Sequence, residues 1–192
     1  MVKEPIAGRV KTRLARGIGV VRATAFYRHA TAAVLARVSS PKEWHTILAV
    51  APDLASCCRA WPPHLARIPQ GSGDLGRRMQ RVMDELPPGP VLIIGSDIPS
   101  IRAEHIRAAF RALGSHDAVF GPAPDGGYWL VGLKRFPRVP QAFEAVRWSS
   151  QHALDDTLAN LNGLRVARLV TLDDIDEAVD LAGSGGRHGR RV

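Results

Sequence analysis

Apolar residues in this chain fall into short unbroken runs separated by longer stretches with helical spacing. TILAV at 46–50, VLIIG at 91–95, DAVFG at 117–121, YWLVG at 128–132 and VARLV at 166–170 have strand length. Their continuous apolar character fits strands covered on both faces. Residues 22–38, 74–86, 102–113 and 150–161 carry the wider spacing of helices. Strands alternating with helices predict βαβ units and an α/β fold around a mostly parallel sheet.

Helix punctuation agrees with this reading. Asp74 stands at a cap position, Leu75, Met79, Val82 and Met83 share one face, and Pro87, Pro88 and Pro90 stop the helix. The methionines there read as core residues, not cofactor contacts. Ser100 precedes IRAEHIRAAFRAL, Glu104 comes early in it, and Gly114 follows its last apolar position. His105 falls inside that helix and reads as a surface side chain.

A chain of 192 residues suits one domain, here 1–182, followed by the basic tail GSGGRHGRRV at 183–192. No apolar run approaches the roughly 20 residues that span a bilayer. The N-terminus lacks the apolar core of a secretory signal, so the expected address is cytoplasmic. Cys57 and Cys58 are adjacent and form no disulfide framework, which predicts reduced thiols. Net charge is +8, with much of the excess in residues 3–37 and in Arg187, Arg190 and Arg191. Such charge suits anionic partners. No nucleic-acid motif or aromatic stacking surface accompanies it, so phosphorylated small molecules are the expected partners, with no nucleic acid and no membrane.

Open α/β sheets gather ligands at loops past the carboxyl ends of their strands, and four segments fall at such positions or at the chain start. In GSDIPS, Ser96 and Asp97 follow VLIIG directly, which offers a carboxylate to Mg²⁺ or Mn²⁺ on a phosphate; a turn cap is the plainer reading. In GPAPDGGYWLVG, Asp125 precedes Gly126 and Gly127, and Tyr128 opens the next strand. This suits a substrate-facing loop, although DGG also marks hairpin turns. Gly8, Lys11, Thr12, Arg13 and Arg16 lie in AGRVKTRLARG, where basic groups beside a glycine turn fit phosphate oxygens, though the Walker A spacing is absent and a solvated basic helix start remains open. In TLDDIDEAVDL an acidic cluster follows a late strand: Asp173 and Asp180 can simply complement a helix dipole, whereas Asp174 or Asp176 offers a second metal carboxylate. There is no GxSxG elbow, no HExxH helix and no metal-ligand spacing among the histidines.

KEPIAGRVKTRL, QGSGDLGRRM, GSDIPS, GPAPDGGYWLVGL, the WSS at 148–150 and DDIDEAVDL resemble, in order and spacing, the radical-SAM/selenodomain-associated transferase family. These are GT-A-like proteins similar to nucleotide-diphospho-sugar transferases, and some are labelled arsenosugar-biosynthesis glycosyltransferases. The resemblance covers residues 1 to about 182. It implies a Rossmann-like three-layer sandwich with Lys11, Thr12 and Arg13 on the nucleotide phosphates. It also implies Gln70, Asp74 and Arg77 nearby, Asp97 as the metal-binding acid, Asp125 to Tyr128 as an acceptor or donor wall, and Asp176 as a second metal ligand. Two departures stand out. The family's hydrophobic strand before KEP is cut to Met1 and Val2, which predicts a truncated first strand, and its DTPEDL ending reads DEAVDL.

The expected activity is therefore metal-dependent glycosyl transfer from a nucleoside-diphosphate sugar to a small-molecule acceptor, with Asp97 and Asp176 holding Mg²⁺ or Mn²⁺ and Asp125 a candidate acceptor base. Two other expectations stay open: a nucleotidyltransferase acting on an NTP and a phosphorylated small molecule, and a nucleotide-binding module without turnover.

Overall fold

The structure, a computed structural model, describes residues 1–96 and 98–173. Asp97, Asp174, Asp176 and the basic tail lie outside the described residues.

The elements run β1 (Val2–Lys3), α1 (Thr12–Ile18), α2 (Val20–Val38), β2 (Ile47–Ala51), β3 (Ala66–Pro69), α3 (Leu75–Glu85) and β4 (Val91–Ile94). They continue with α4 (Ala103–Leu113), β5 (Ala118–Pro122), β6 (Tyr128–Leu133), α5 (Ala153–Ala159) and β7 (Val166–Arg168). Each apolar run of the sequence is a strand, within two residues at either end. The pattern did not disclose β3, whose four residues ARIP alternate weakly and end in proline, nor α1, a seven-residue basic helix with only Leu14 buried.

Strands β1, β2 and β3 are hydrogen-bonded in that order, all parallel. The other four follow the order β4-β6-β5-β7. Here β6 is antiparallel to both β4 and β5, while β7 is parallel to β5, so three of the five pairings are parallel. The antiparallel strand has a simple cause. Five residues join β5 to β6, and a parallel return needs a crossover of about a dozen or more. The DGG segment is thus a hairpin connection.

Two groups of contacts set the sheets side by side. The Met1 ammonium donates to the Ile94 carbonyl at 2.8 Å. The Tyr27 hydroxyl, on α2, accepts from the Lys3 N–H at 2.8 Å and lies 3.4 Å from Ser96 Oγ. Met1 therefore sits beside Ile94 and Lys3 close to Ser96, so β1 and β4 point the same way.

Helices cover both faces. Met79, Val82 and Met83 of α3 and Leu154 of α5 pack with Ile93, Phe120 and Val131. On the opposite side Val34 and Val38 of α2 and Ile106, Ala109 and Leu113 of α4 pack with Val119 and Trp129. This two-sided burial explains the uninterrupted apolar runs. Met79 and Met83 are core residues as expected, whereas Leu75, placed on the same face by the sequence, is exposed and Gly76 is buried in its stead. A Cβ at Gly76 would lie 2.5 Å from the Phe143 carbonyl oxygen, so the helix approaches that backbone directly.

His105 departs from its sequence reading. The helix begins at Ala103, which puts His105 in the first turn. Its Nδ1 accepts the Arg102 N–H at 3.2 Å, and its ring lies 5.7 Å from the Trp129 ring with the side chain 19% exposed. Cys57 and Cys58 are free thiols. No helix among the described residues is long and apolar enough to cross a membrane.

Candidate functional site

The shared direction of β1, β2, β3, β4, β5 and β7 brings their carboxyl ends to one edge of the molecule, the position at which α/β sheets bind ligands. Loop 5–11 leaves β1 there, and it turns into α1 through Lys11, whose φ of 46° is left-handed. Gly8, with φ of 79°, takes a left-handed turn that favours glycine. Thr12 and Arg13 open α1 and are exposed. Ser96 lies two residues past β4 and is joined to Lys3 of β1 through Tyr27, and its carbonyl accepts from Thr31 Oγ1 at 3.3 Å. Of the sequence-predicted residues, Gly8, Lys11, Thr12 and Arg13 follow β1 and Ser96 follows β4; none of the five lines the concavity at the ends of β1, β2 and β3.

A concavity of about 430 Å³ opens at the ends of β1, β2 and β3, a volume within the range of small-molecule sites. Lys3, Arg9 and Arg78 give it three cations, and Glu4 and Asp53 two acids. Its floor is the loop Gln70–Gly73. Asp53 Oδ1 accepts the Gly71 N–H at 2.9 Å, Arg78 Nε donates to the Gly73 carbonyl at 2.9 Å, and Arg81 donates to the Gln70 carbonyl at 2.8 Å. Gly71 and Gly73 both have positive φ, which this tight course requires.

The residues expected from QGSGDLGRRM divide. Gln70 is 3% exposed, and its Nε2 donates to the Val2 carbonyl at 3.0 Å and the Ala49 carbonyl at 2.9 Å, tying β1 to β2 beneath the floor. Asp74 caps α3 by accepting the Arg77 N–H at 2.8 Å. Arg77 is exposed, and it is its neighbour Arg78 that lines the concavity.

The hairpin loop 123–127 reaches the same edge, because Gly95 donates to the Trp129 carbonyl at 3.1 Å and so places Ser96 beside Tyr128. Asp125 is exposed and its Oδ1 accepts the Gly127 N–H at 2.9 Å, closing a short turn. Gly126 has φ of 83° and its carbonyl accepts from the Leu154 N–H at 2.9 Å. Tyr128 turns away from the loop. Its ring packs edge-on to Phe120 at 5.2 Å, its hydroxyl lies 3.4 Å from Thr157 Oγ1, and burial pushes its phenol above the ordinary range. Behind it, Arg147 grips Asp156 with distances of 2.7 and 2.9 Å, which holds the Asp156 carboxyl well below the usual range and fixes the WSS turn against α5.

After β7 the chain follows β5 to the same edge, where the Leu172 N–H donates to the Pro122 carbonyl at 3.2 Å. The described segments that flank the two proposed metal ligands, Ser96 before Asp97 and Leu172 before Asp176, therefore end at one edge. Among the described residues, no three His, Cys, Asp or Glu side chains converge to hold a metal ion.

A family described as an uncharacterized protein conserved in bacteria, DUF2064, matches residues 34–150. The chain belongs to this family. A crystal structure of a putative nucleotide-diphospho-sugar transferase from Desulfovibrio desulfuricans G20 superimposes with a TM-score of 0.83 at 30% identity, covering 98% of this chain and 86% of that one. No curated protein matches. The DUF2064 match takes in β2, β3 and β4 with the loops of the concavity between them, and it includes the whole hairpin loop.

Sequence reasoning missed Lys3, Glu4, Arg9, Asp53 and Arg78. For Asp53 the signal was present, since it follows the strand TILAV as Asp97 follows VLIIG. Arg78 was hidden by its neighbour: only the helix phase set by the Asp74 cap says which of two adjacent arginines turns toward the loop.

Proposed function

We propose that this protein is a metal-dependent glycosyltransferase that takes a nucleoside-diphosphate sugar in the cleft at the strand ends and transfers the sugar to a small-molecule acceptor. The observation that carries the reading is the likeness in fold to the nucleotide-diphospho-sugar transferase structure, at 30% identity over nearly the whole chain. The concavity supports it, having the size of a small-molecule site and being lined by both acids and cations.

In this reading the nucleoside rests over Gly71 and Ser72, with Asp53 and Glu4 as acceptors for base or ribose donors. Arg9 and the loop from Gly8 to Arg13 face the diphosphate, where backbone N–H groups and guanidinium forks suit phosphate oxygens. Asp97 and Asp176 hold Mg²⁺ or Mn²⁺, which would neutralise charge on the leaving diphosphate. The protein's own share of the work is positioning and electrostatics. Asp125, exposed on the hairpin loop, meets the acceptor in this reading.

The test is a turnover panel with Mn²⁺: UDP- and GDP-sugars with candidate acceptors in one arm, NTPs with phosphorylated acceptors in the other. Acceptor-dependent release of a nucleoside diphosphate is the expected result. Pyrophosphate release in the second arm alone would replace the reading by nucleotidyl transfer, and nucleotide binding without turnover in either arm would leave a binding module.

A further inference from the structure

The positive charge of this chain is concentrated in one stretch. Residues 5–42 hold eight lysines and arginines and no aspartate or glutamate. The whole chain has 26 such cations and 18 acids, so outside this stretch the two signs balance and the net charge of +8 lies within it.

Most of the stretch is α1 and α2. On α2, Ala23, Tyr27, Val34 and Val38 are buried at helical spacing. The opposite side presents Arg22, Ala25, Arg28, Ala32 and Ala36, all exposed. Gly19, with φ of 85°, makes the corner between the two helices. At that corner Val20 and Val21 are 43% and 78% exposed, flanked in sequence by the exposed Arg16 and Arg22. From Arg22 to Arg37 the cations follow a helix of 19 residues, about 28 Å long.

Elsewhere arginines meet acids: Arg107 pairs with Glu43, Arg147 with Asp156 and Arg165 with Asp117. Among the described residues, Arg16, Arg22 and Arg28 make no ion pair. Like charges set apart from any acid repel one another and draw in an anionic surface.

We propose that the outer face of α2 and the α1–α2 corner dock on an anionic lipid surface. The side chains between the arginines favour lipid over nucleic acid. The exposed residues of α2 include no Asn, Gln, Ser or Thr to read a base edge and no Phe, Tyr or Trp to stack on a base. They are arginine, histidine, alanine and valine. Small alanines let the guanidinium groups reach headgroup phosphates, while Val20 and Val21 enter the interfacial layer. Attachment of this kind needs no spanning helix, and none is present among the described residues. The proposal is independent of the transferase reading, since it uses none of the residues assigned there to nucleotide, metal or acceptor.

The experiment is flotation at low salt with vesicles of phosphatidylcholine alone and with about one-third phosphatidylglycerol. Wild type is compared with Arg22→Gln/Arg28→Gln and with Val21→Asp. A further double variant, Arg138→Gln/Arg168→Gln, removes the same charge from exposed positions outside α1 and α2. Wild type and the Arg138/Arg168 variant are expected to float equally, and with the anionic vesicles only. The Arg22/Arg28 variant should bind about 25-fold more weakly, at roughly fivefold per arginine, and Val21→Asp should also bind more weakly, with thermal midpoints unchanged throughout. Absence of flotation in wild type, or equal losses in the two double variants, would overturn the inference. So would tighter binding of a single-stranded RNA homopolymer than of anionic vesicles at equal phosphate concentration, weakened by the same Arg22/Arg28 change.

Discussion

Replacing Gly126 by alanine separates a geometric requirement from a merely small side chain. Gly126 sits at φ of 83°, and a Cβ built there lies 2.1 Å from the Gln151 carbonyl oxygen and 2.5 Å from the Gln151 carbonyl carbon and Cα. The obstacle is backbone, held by the first turn of α5 and by the bond from Leu154 to the Gly126 carbonyl. A left-handed alanine costs about 1–2 kcal/mol and overpacking about 1–3, so Gly126→Ala should destabilise by about 2–5 kcal/mol. In a chain of this length that lowers the thermal midpoint by about 4–20 °C. Gly127→Ala is the control, because its Cβ would meet only the Asp125 carboxylate, at 3.1 Å, in backbone that other residues adopt. Urea unfolding of both variants, with unchanged slope, gives the comparison. A loss below about 1 kcal/mol at Gly126, or equal losses at the two positions, would refute the reasoning.

Other expectations follow from single contacts. Arg9→Ala should leave the thermal midpoint unchanged and weaken nucleoside-diphosphate binding by roughly five- to tenfold, the value of about one exposed charge-assisted bond, as read by calorimetric titration. Gln70→Leu removes the donor to the Val2 and Ala49 carbonyls and should cost about 1–3 kcal/mol in urea unfolding, with nucleotide affinity changed only as far as the cleft floor moves. The Arg107 guanidinium, with help from Ser40, lowers the Glu43 carboxyl from 4.5 to about 2. A depressed pKa means that the pair's stabilisation is present above pH 4.5 and is lost as pH falls toward 2. Wild type should therefore lose more stability across that window than Glu43→Gln; parallel urea midpoints against pH would contradict the assignment.

The sheet was legible wherever a strand is covered on both faces, because that burial writes an unbroken apolar run, as in VLIIG and YWLVG. It was not legible at ARIP, a weakly buried edge strand, or at α1, whose exposed basic surface hides its helical phase. The antiparallel course of β6 followed from loop length, a quantity the apolar pattern does not weigh. In the candidate site, residue types placed just past strands fall at the strand-end edge, but side-chain direction was beyond reach. Gln70 and Tyr128 stand in candidate segments yet point into the interior, whereas Arg78 reaches the cleft beside the candidate Arg77, and Asp53 reaches it from outside the candidate segments. His105 shows the same limit: moving a helix start by one or two residues turned a surface reading into a ring packed on Trp129.

The central claim is that Asp97 carries the metal on which nucleotide binding depends. Calorimetric titration of a nucleoside diphosphate into the protein, with and without Mn²⁺, compares wild type with Asp97→Asn. Metal-dependent binding is expected in wild type, with its loss in the variant and equal thermal midpoints for the two, since a carboxylate that ligates a metal serves ligand charge more than packing. Equal affinity for the nucleotide in both proteins, with Mn²⁺ present, would contradict it.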